Sequence, residues 1–283
     1  MKLTIFLDGN YDYNNPFMKP MSSTIHNSIQ SSQKIDRACY ETEFYQKQIK
    51  IEKSHFWFQH RNKVILNALR EVQALLGAEL VDMIEIGCGI GTVTAFLIQS
   101  GFQVSGADLY PEGLEECQKR LHTTLYQFDV RNIPYENKWN VIGCFDVLEH
   151  IEEEEVALRS IHGALTARGR VILTVPAVPF LYSIHEGTHK RRYSKNDLIN
   201  KLTRSGFAIE KISYFFSFLF PIFAASRILK KMKNENVFES SDFDIHPLLN
   251  QLFLALCNLE GNISKVVPAL IGSSLIVIAR KVS

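Results

Sequence analysis

A chain of 283 residues, 46% hydrophobic and 22% charged, has the length and make-up of a globular protein with one large domain and a real core. Its formal net charge of +1 creates no field that would gather nucleic acid, so no nucleic-acid partner is expected. Cys39, Cys88, Cys117, Cys144 and Cys257 are scattered with no CxxC pair, which argues against a zinc knuckle or a disulfide framework and for a reducing, cytoplasmic setting.

The opening MKLTIFLDGN carries one basic residue and an apolar run stopped by Asp8, which is not a signal-peptide pattern. Residues 1–40 are rich in Asn, Ser, Gln and Pro and read as a poorly structured extension, within which Leu3 to Leu7 fits a short strand. From Glu41 to Leu76 the pattern is helical, with Ile65, Leu69, Val72 and Leu76 on one face and Gly77 as the stop. Residues 41–283 read as a single domain.

Strands and helices then alternate. The predicted strands are Val81 to Ile86, Gln103 to Ala107, Leu125 to Phe128, Trp139 to Cys144, Arg170 to Val175, Phe207 to Tyr214 and Ser274 to Lys281. Helices are predicted from Thr92 to Ser100, from Pro111, after the acidic start Glu152 to Glu155, and from a capping box of Ser194 and Asp197 to Gly206. Such alternation implies right-handed crossovers and an α/β fold, a parallel sheet covered on both faces. Between the last two strands lies a helical insertion, residues 215–270, with an aromatic helix from Phe215 to Lys231 and a second from Pro247 to about Asn258. The uncharged run from Ile212 to Ser226 contains Pro221 and falls short of the roughly 20 residues a membrane span needs.

The sharpest signal is Glu85-Ile86-Gly87-Cys88-Gly89-Ile90-Gly91-Thr92, a glycine turn between a strand and a helix. At the carboxyl end of a strand in a doubly wound sheet, such a turn faces the ligand. A dinucleotide turn wants glycine where Thr92 stands, and Glu85 would repel a pyrophosphate while suiting an ammonium group. Asp108 ends the next strand, placed to accept from two ribose hydroxyls. Asp129 and Val130 end the third, where a carboxylate and a backbone amide fit an exocyclic amine and a ring nitrogen. Singly, each acid reads as a turn or helix-start residue; at successive strand ends they read together as a ligand site.

The segments VDMIEIGCGIGT, GADLY, YQFDV, FDVLEHI and GRVILTVP resemble motifs I to V of class I methyltransferases that use S-adenosylmethionine (SAM), over about Phe56 to Ser283. HFWFQHR, from His55 to Arg61, and HKRRYS, from His189 to Ser194, are similar to the type 11/23 branch, near the ubiquinone-pathway O-methyltransferases. The resemblance implies SAM as cofactor, with Glu85, Gly87, Cys88, Gly89 and Gly91 bordering its methionine part. It places Asp108 and Leu109 at the ribose, Asp129 and Val130 at the adenine, and Asp146 at the same site. It also implies a Rossmann-like, seven-stranded, mostly parallel sheet with the last strand antiparallel. Arg61 either binds the methionine carboxylate or lies at the surface.

A methyl acceptor of low acidity needs a base or a metal. Asp146, Glu149 and His150 form D-x-x-E-H past the fourth strand, and His185 and His189 lie in the loop HEGTHKRRY. The reading adopted is His150, His185 and His189 as catalytic bases with no metal; Asp146, Glu149 and His150 as ligands of a divalent ion is the alternative. The plain reading of the first three is a helix cap, a local pair and a pocket wall. Arg191, Arg192 and Tyr193 offer forked donors to an acidic group on the acceptor, or form a solvated basic loop. Phe215, Phe216, Phe218, Leu219, Phe220, Ile222 and Phe223 must be covered by core packing, an apolar acceptor, a second copy in a homodimer, or a membrane surface touched through residues 215–233, near Arg227, Lys230, Lys231 and Lys233.

The expected function is methyl transfer to a small-molecule acceptor, an oxygen of a hydrophobic, lipid-linked or natural-product compound. The rivals are a non-catalytic SAM-binding scaffold or sensor and a nucleic-acid or protein methyltransferase. The Asp-Pro-Pro-Tyr motif of amino-methylating DNA enzymes is absent at Phe145 to Leu148.

Overall fold

The computed structural model describes residues 25–27, 49–182, 189–232, 245–264 and 267–282. The elements are β1 (Ile25–Asn27), α1 (Phe56–Leu76), β2 (Met83–Ile86), α2 (Thr92–Gln99), β3 (Val104–Asp108), α3 (Pro111–Arg120), β4 (Leu125–Gln127), β5 (Trp139–Phe145), α4 (Glu154–Ala164), β6 (Leu165–Pro176), α5 (Lys195–Arg204), β7 (Phe207–Phe215), α6 (Phe220–Met232), α7 (Pro247–Ile263) and β8 (Ser274–Lys281). They build one sheet in the order β1-β4-β3-β2-β5-β6-β8-β7. All neighbouring pairs are parallel except those made by β8, which runs against both β6 and β7.

The sheet has eight strands where seven were expected. The eighth is β1, which pairs Ile25–Asn27 with Leu125–Gln127 at the edge, inside the tract expected to be poorly structured. The strand expected at Leu3 to Leu7 lies outside the described residues. The long helix expected from Glu41 is interrupted: residues 49–54 are helical, but His55 is extended (ψ 132°) and caps α1, its Nδ1 accepting from the Trp57 N–H at 3.3 Å. The aromatic helix begins later than expected, because Phe215 ends β7 and Phe216 turns the chain at φ +57°.

Alternate residues of the strands feed two cores, as the two-residue period of a strand requires. Met83, Val141, Phe145, Ile172, Ile276 and Ile278 face α1, α2 and α7. Ile84, Ile142, Val171, Leu173, Leu275 and Val277 face α4 and α5. Both faces are covered, which explains near-continuous apolar strands. Strand order reverses between β2 and β5, so the turns after these two strands open at the topological switch point, where open α/β sheets bind ligands.

Candidate functional site

The glycine turn follows β2 at that switch point. Gly87 has φ +75°, and a side chain there would run into Val147. Gly89 has φ +52° and opens on space: a methyl at this position would meet nothing within 4 Å. The turn is held from below by the Gly87 and Cys88 N–H groups, which donate to Ala107 O at 2.7 and 2.9 Å. Cys88 itself is buried, its thiol against Cys117 and Gly106 rather than at the opening.

The carboxylates expected at the strand tips gather along one edge. Asp108 accepts from the Gly89 N–H at 2.7 Å and the Tyr110 N–H at 2.9 Å. Burial raises its pKa, and these amides pull the other way. The Leu109 carbonyl accepts from Gln127 Nε2 at 3.2 Å, which ties the tips of β3 and β4. Asp129 caps a short turn at Val130–Asn132 and is gripped by the Arg131 guanidinium at 2.6 Å. Despite burial, that grip holds Asp129 below the usual carboxylate range. Glu85 is buried and accepts from the Thr94 hydroxyl, and burial pushes its pKa up to about 8.

Asp146 follows β5 at φ +55°, a left-handed conformation that aspartate tolerates better than bulkier residues. Its N–H donates to Thr174 O, and its carboxylate meets Arg61 Nη1 at 3.0 Å. Arg61 is therefore no surface residue. It is buried, and its guanidinium lies 4.9 Å from the Trp57 ring centre and 5.3 Å from that of Phe58. This set fits an adenosyl amino acid: open space over Gly89, acids at the tips of β2, β3 and β4, and a guanidinium–carboxylate pair beside them.

Past Asp146, the expected grouping changes partners. Asp146 turns to Arg61, while His189 takes its place beside Glu149 and His150. The His150 and His189 rings lie edge to face at 4.7 Å, and His189 Nε2 is 3.9 Å from Glu149 Oε1. Glu149 is fully buried, and among the described residues neither of its oxygens has a hydrogen-bond partner. Burial, then the charge of Asp146, raises the Glu149 carboxyl well above its ordinary pKa. Burial, then His150 and Arg192, lowers His189 to about 4. At neutral pH the His189 imidazole is thus uncharged, and burial works against ionisation of the Glu149 carboxyl beside it. His185 lies outside the described residues.

Arg191, Arg192 and Tyr193 do not form a free basic loop. The Tyr193 hydroxyl is buried and donates to Glu154 at 2.5 Å. Arg191 and Lys201 each pair with Glu154 at 2.8 Å. Arg192 donates to Ala177 O at 2.9 Å, and burial lowers its pKa to about 10. Arg191 and Tyr193 lock the His189 loop against α4, and Arg192 ties it to the chain just past β6. Glu154 is the hub that sequence reasoning missed, because a first-turn glutamate looks like any other. Glu52 and Thr92 were missed as well: Glu52 accepts from the Thr92 hydroxyl, a contact across 40 positions that no local pattern marks.

A family model described as "Methyltransferase domain" matches residues 57–212. The ubiquinone biosynthesis O-methyltransferase of Proteus mirabilis is 29% identical over 154 residues, 46% of this chain and 61% of that protein. The chain spans about half to two thirds of the length of the curated relatives it matches. Among solved structures, an SAM-dependent methyltransferase from Thermotoga maritima superposes with a TM-score of 0.53 at 14% identity, covering 84% of this chain and 95% of that one. The [4+2]-cyclase SpnF gives 0.51 at 16% identity, covering 77% and 80%. At such identities these two likenesses show a shared fold.

Proposed function

The chain belongs to the methyltransferase domain family, an enzyme family with SAM as cofactor, and we propose that it methylates an oxygen of a hydrophobic or lipid-linked small molecule. The observation that carries this reading is the histidine pair at the tip of β5, one strand from the glycine turn. Bound SAM supplies a methyl already activated on a sulfonium, which leaves alignment and proton removal to the protein. His189, kept neutral by burial, can take the proton of an acceptor hydroxyl, with His150 in ring contact. Glu149 then offers a carboxyl partner to the imidazolium that results. The expected result with labelled SAM and a lipid extract is label in an ether that partitions into organic solvent. Label only on nitrogen, or cofactor binding without transfer, overturns the proposal.

The helices between β7 and β8 support an apolar acceptor. Ile222, Ile228, Leu229 and Met232 of α6 and Leu248, Leu252, Leu259 and Ile263 of α7 are all exposed. Arg227, Lys230, Lys231 and Lys233 follow in sequence, with no acid between Lys211 and Glu235. That composition suits shallow contact with an anionic lipid surface. Among the described residues no helix is long and apolar enough to cross a membrane. Flotation with anionic but not zwitterionic vesicles is the expected outcome; a dimer that ignores both assigns the face to a second copy.

One observation favours a second reading of the same cluster. Ligand atoms of Glu149, His150 and His189 all lie within 4.8 Å of one another, a spacing that suits a divalent cation. Loss of turnover in EDTA with recovery on adding a divalent ion would select this reading over the metal-free base.

A further inference from the structure

His60, Val64, Asn67, Ala68 and Glu71 of α1 stand three and four residues apart, on one helical face. That face borders a cavity of about 300 Å³ under α7, floored by Ser213, Phe215, Ile276 and Ile278 of the paired strands β7 and β8. Small residues leave it unfilled: a methyl added at Gly261 of α7 would come only within 3.8 Å of the His60 ring. A second hollow of about 250 Å³ shares His60, Val64, Asn67 and Gly261 with the first. Among the described residues, the lining includes none of the glycine turn and none of the acids at the strand tips. The larger volume lies at the lower end of small-ligand sites, roughly 300–1,000 Å³.

His60 is the polar group set into the wall of both hollows. It is 3% exposed, and among the described residues its Nε2 has no hydrogen-bond partner, a costly state for a buried nitrogen. Burial, then Lys63, lowers its pKa to about 4, so the ring is uncharged at neutral pH. The charges around it are of both signs and already engaged. Glu71 meets Lys211 at 2.5 Å, and Lys63 donates to Asn258 Oδ1 at 2.9 Å. Glu260 accepts from the Ser217 and Phe218 N–H groups at 2.8 and 3.0 Å. A charged ligand would meet its own sign here whichever charge it carried.

We propose that this cavity is a second ligand site, apart from the cofactor site, which takes an uncharged molecule with a small apolar body and one hydroxyl, a phenol or a short alcohol. Val64, Ala68, Phe215 and Ile276 cover the body, and the His60 ring meets the hydroxyl. A hydroxyl both donates and accepts, so it suits either tautomer of a neutral imidazole. The site is additional to methyl transfer and does not rest on SAM as cofactor.

The test is a methyl NMR titration of the full chain with p-cresol and with p-xylene, in which a methyl replaces the hydroxyl. p-Cresol should shift the Val64, Ala68 and Ile276 methyl signals and bind about tenfold tighter than p-xylene, the worth of one satisfied buried group. His60→Phe should erase that preference. Gly261→Leu should block both probes while S-adenosylhomocysteine affinity stays unchanged. If Gly261→Leu fails to fold, Ala269→Leu, in the chain after α7, fills the same space and the same loss is expected. No binding of p-cresol, equal affinity for the two probes, shifts confined to other methyls, or p-cresol binding undiminished in the filled variants would each overturn the proposal.

Discussion

Arg61 of α1 and Asp146 at the tip of β5 meet at 3.0 Å although 85 positions separate them. The pair fastens the first long helix over the switch point, and the aromatic faces of Trp57 and Phe58 keep the guanidinium dry. Removing either partner strands the other in a poorly hydrated place. Arg61→Met or Asp146→Asn should each cost about 2–3 kcal/mol, discounted from the buried-pair range because Asp146 keeps some solvent. The double variant should cost less than the sum, by at least ~1 kcal/mol. Urea denaturation of the four proteins measures this, and strict additivity would mean that the contact is incidental.

Gly89→Asp should abolish cofactor binding while costing the fold only the strain of a side chain at φ +52°, because the new side chain enters open space rather than the core. S-adenosylhomocysteine calorimetry beside thermal melting separates the two effects. Retained micromolar affinity would count against the site.

His189→Ala and His150→Ala should each lower turnover by about 10²–10³, the ordinary worth of a positioned base, while cofactor affinity stays within a few-fold. A variant that loses both in parallel would show that its ring shapes the pocket instead.

Tyr193→Phe removes a buried hydroxyl from Glu154 and should cost about 1.5–3 kcal/mol of stability, the usual range for a hydrogen bond to a charged group. If Tyr193 instead recognised the acceptor, KM would rise and the melting temperature would stay put.

Burial of His55 and His60 lowers both to about 4, so their neutral forms are built into the fold. A lowered histidine contributes stability that is present above its unfolded pKa near 6.5 and is lost as pH falls toward 4. Each can steepen the acid limb by at most ~1.4 kcal/mol per pH unit. Glu85 has the opposite sign: raised to about 8, its contribution is complete below the ordinary carboxylate range and is lost as pH rises to about 8. Stability without cofactor should therefore peak near neutrality. His60→Leu should flatten the acid limb and Glu85→Gln the alkaline one, read as melting temperature against pH.

The alternation of strands and helices was legible because burial on both faces writes apolar runs that periodicity detects. Glu85, Asp108, Asp129 and Asp146 were legible because a parallel sheet brings successive strand ends to one edge. Arg61–Asp146, Glu52–Thr92 and the Glu154 hub were not, since each joins elements whose separation only the folded topology sets. Tyr193 sat in a run of basic residues that reads as solvated, yet its ring is wholly buried. β1 escaped notice for a simpler reason: three residues are too few to show a period.

That short strand matters beyond its length. β4 would otherwise offer Leu125–Gln127 as a bare row of amides and carbonyls, the kind of margin onto which a foreign chain can zip. A stretch from early in the chain doubles back to shield it, with His26 stacked on Tyr126 at 5.3 Å. Shortening the chain past Asn27 would therefore bare β4 itself, and a greater tendency to aggregate is the expected consequence.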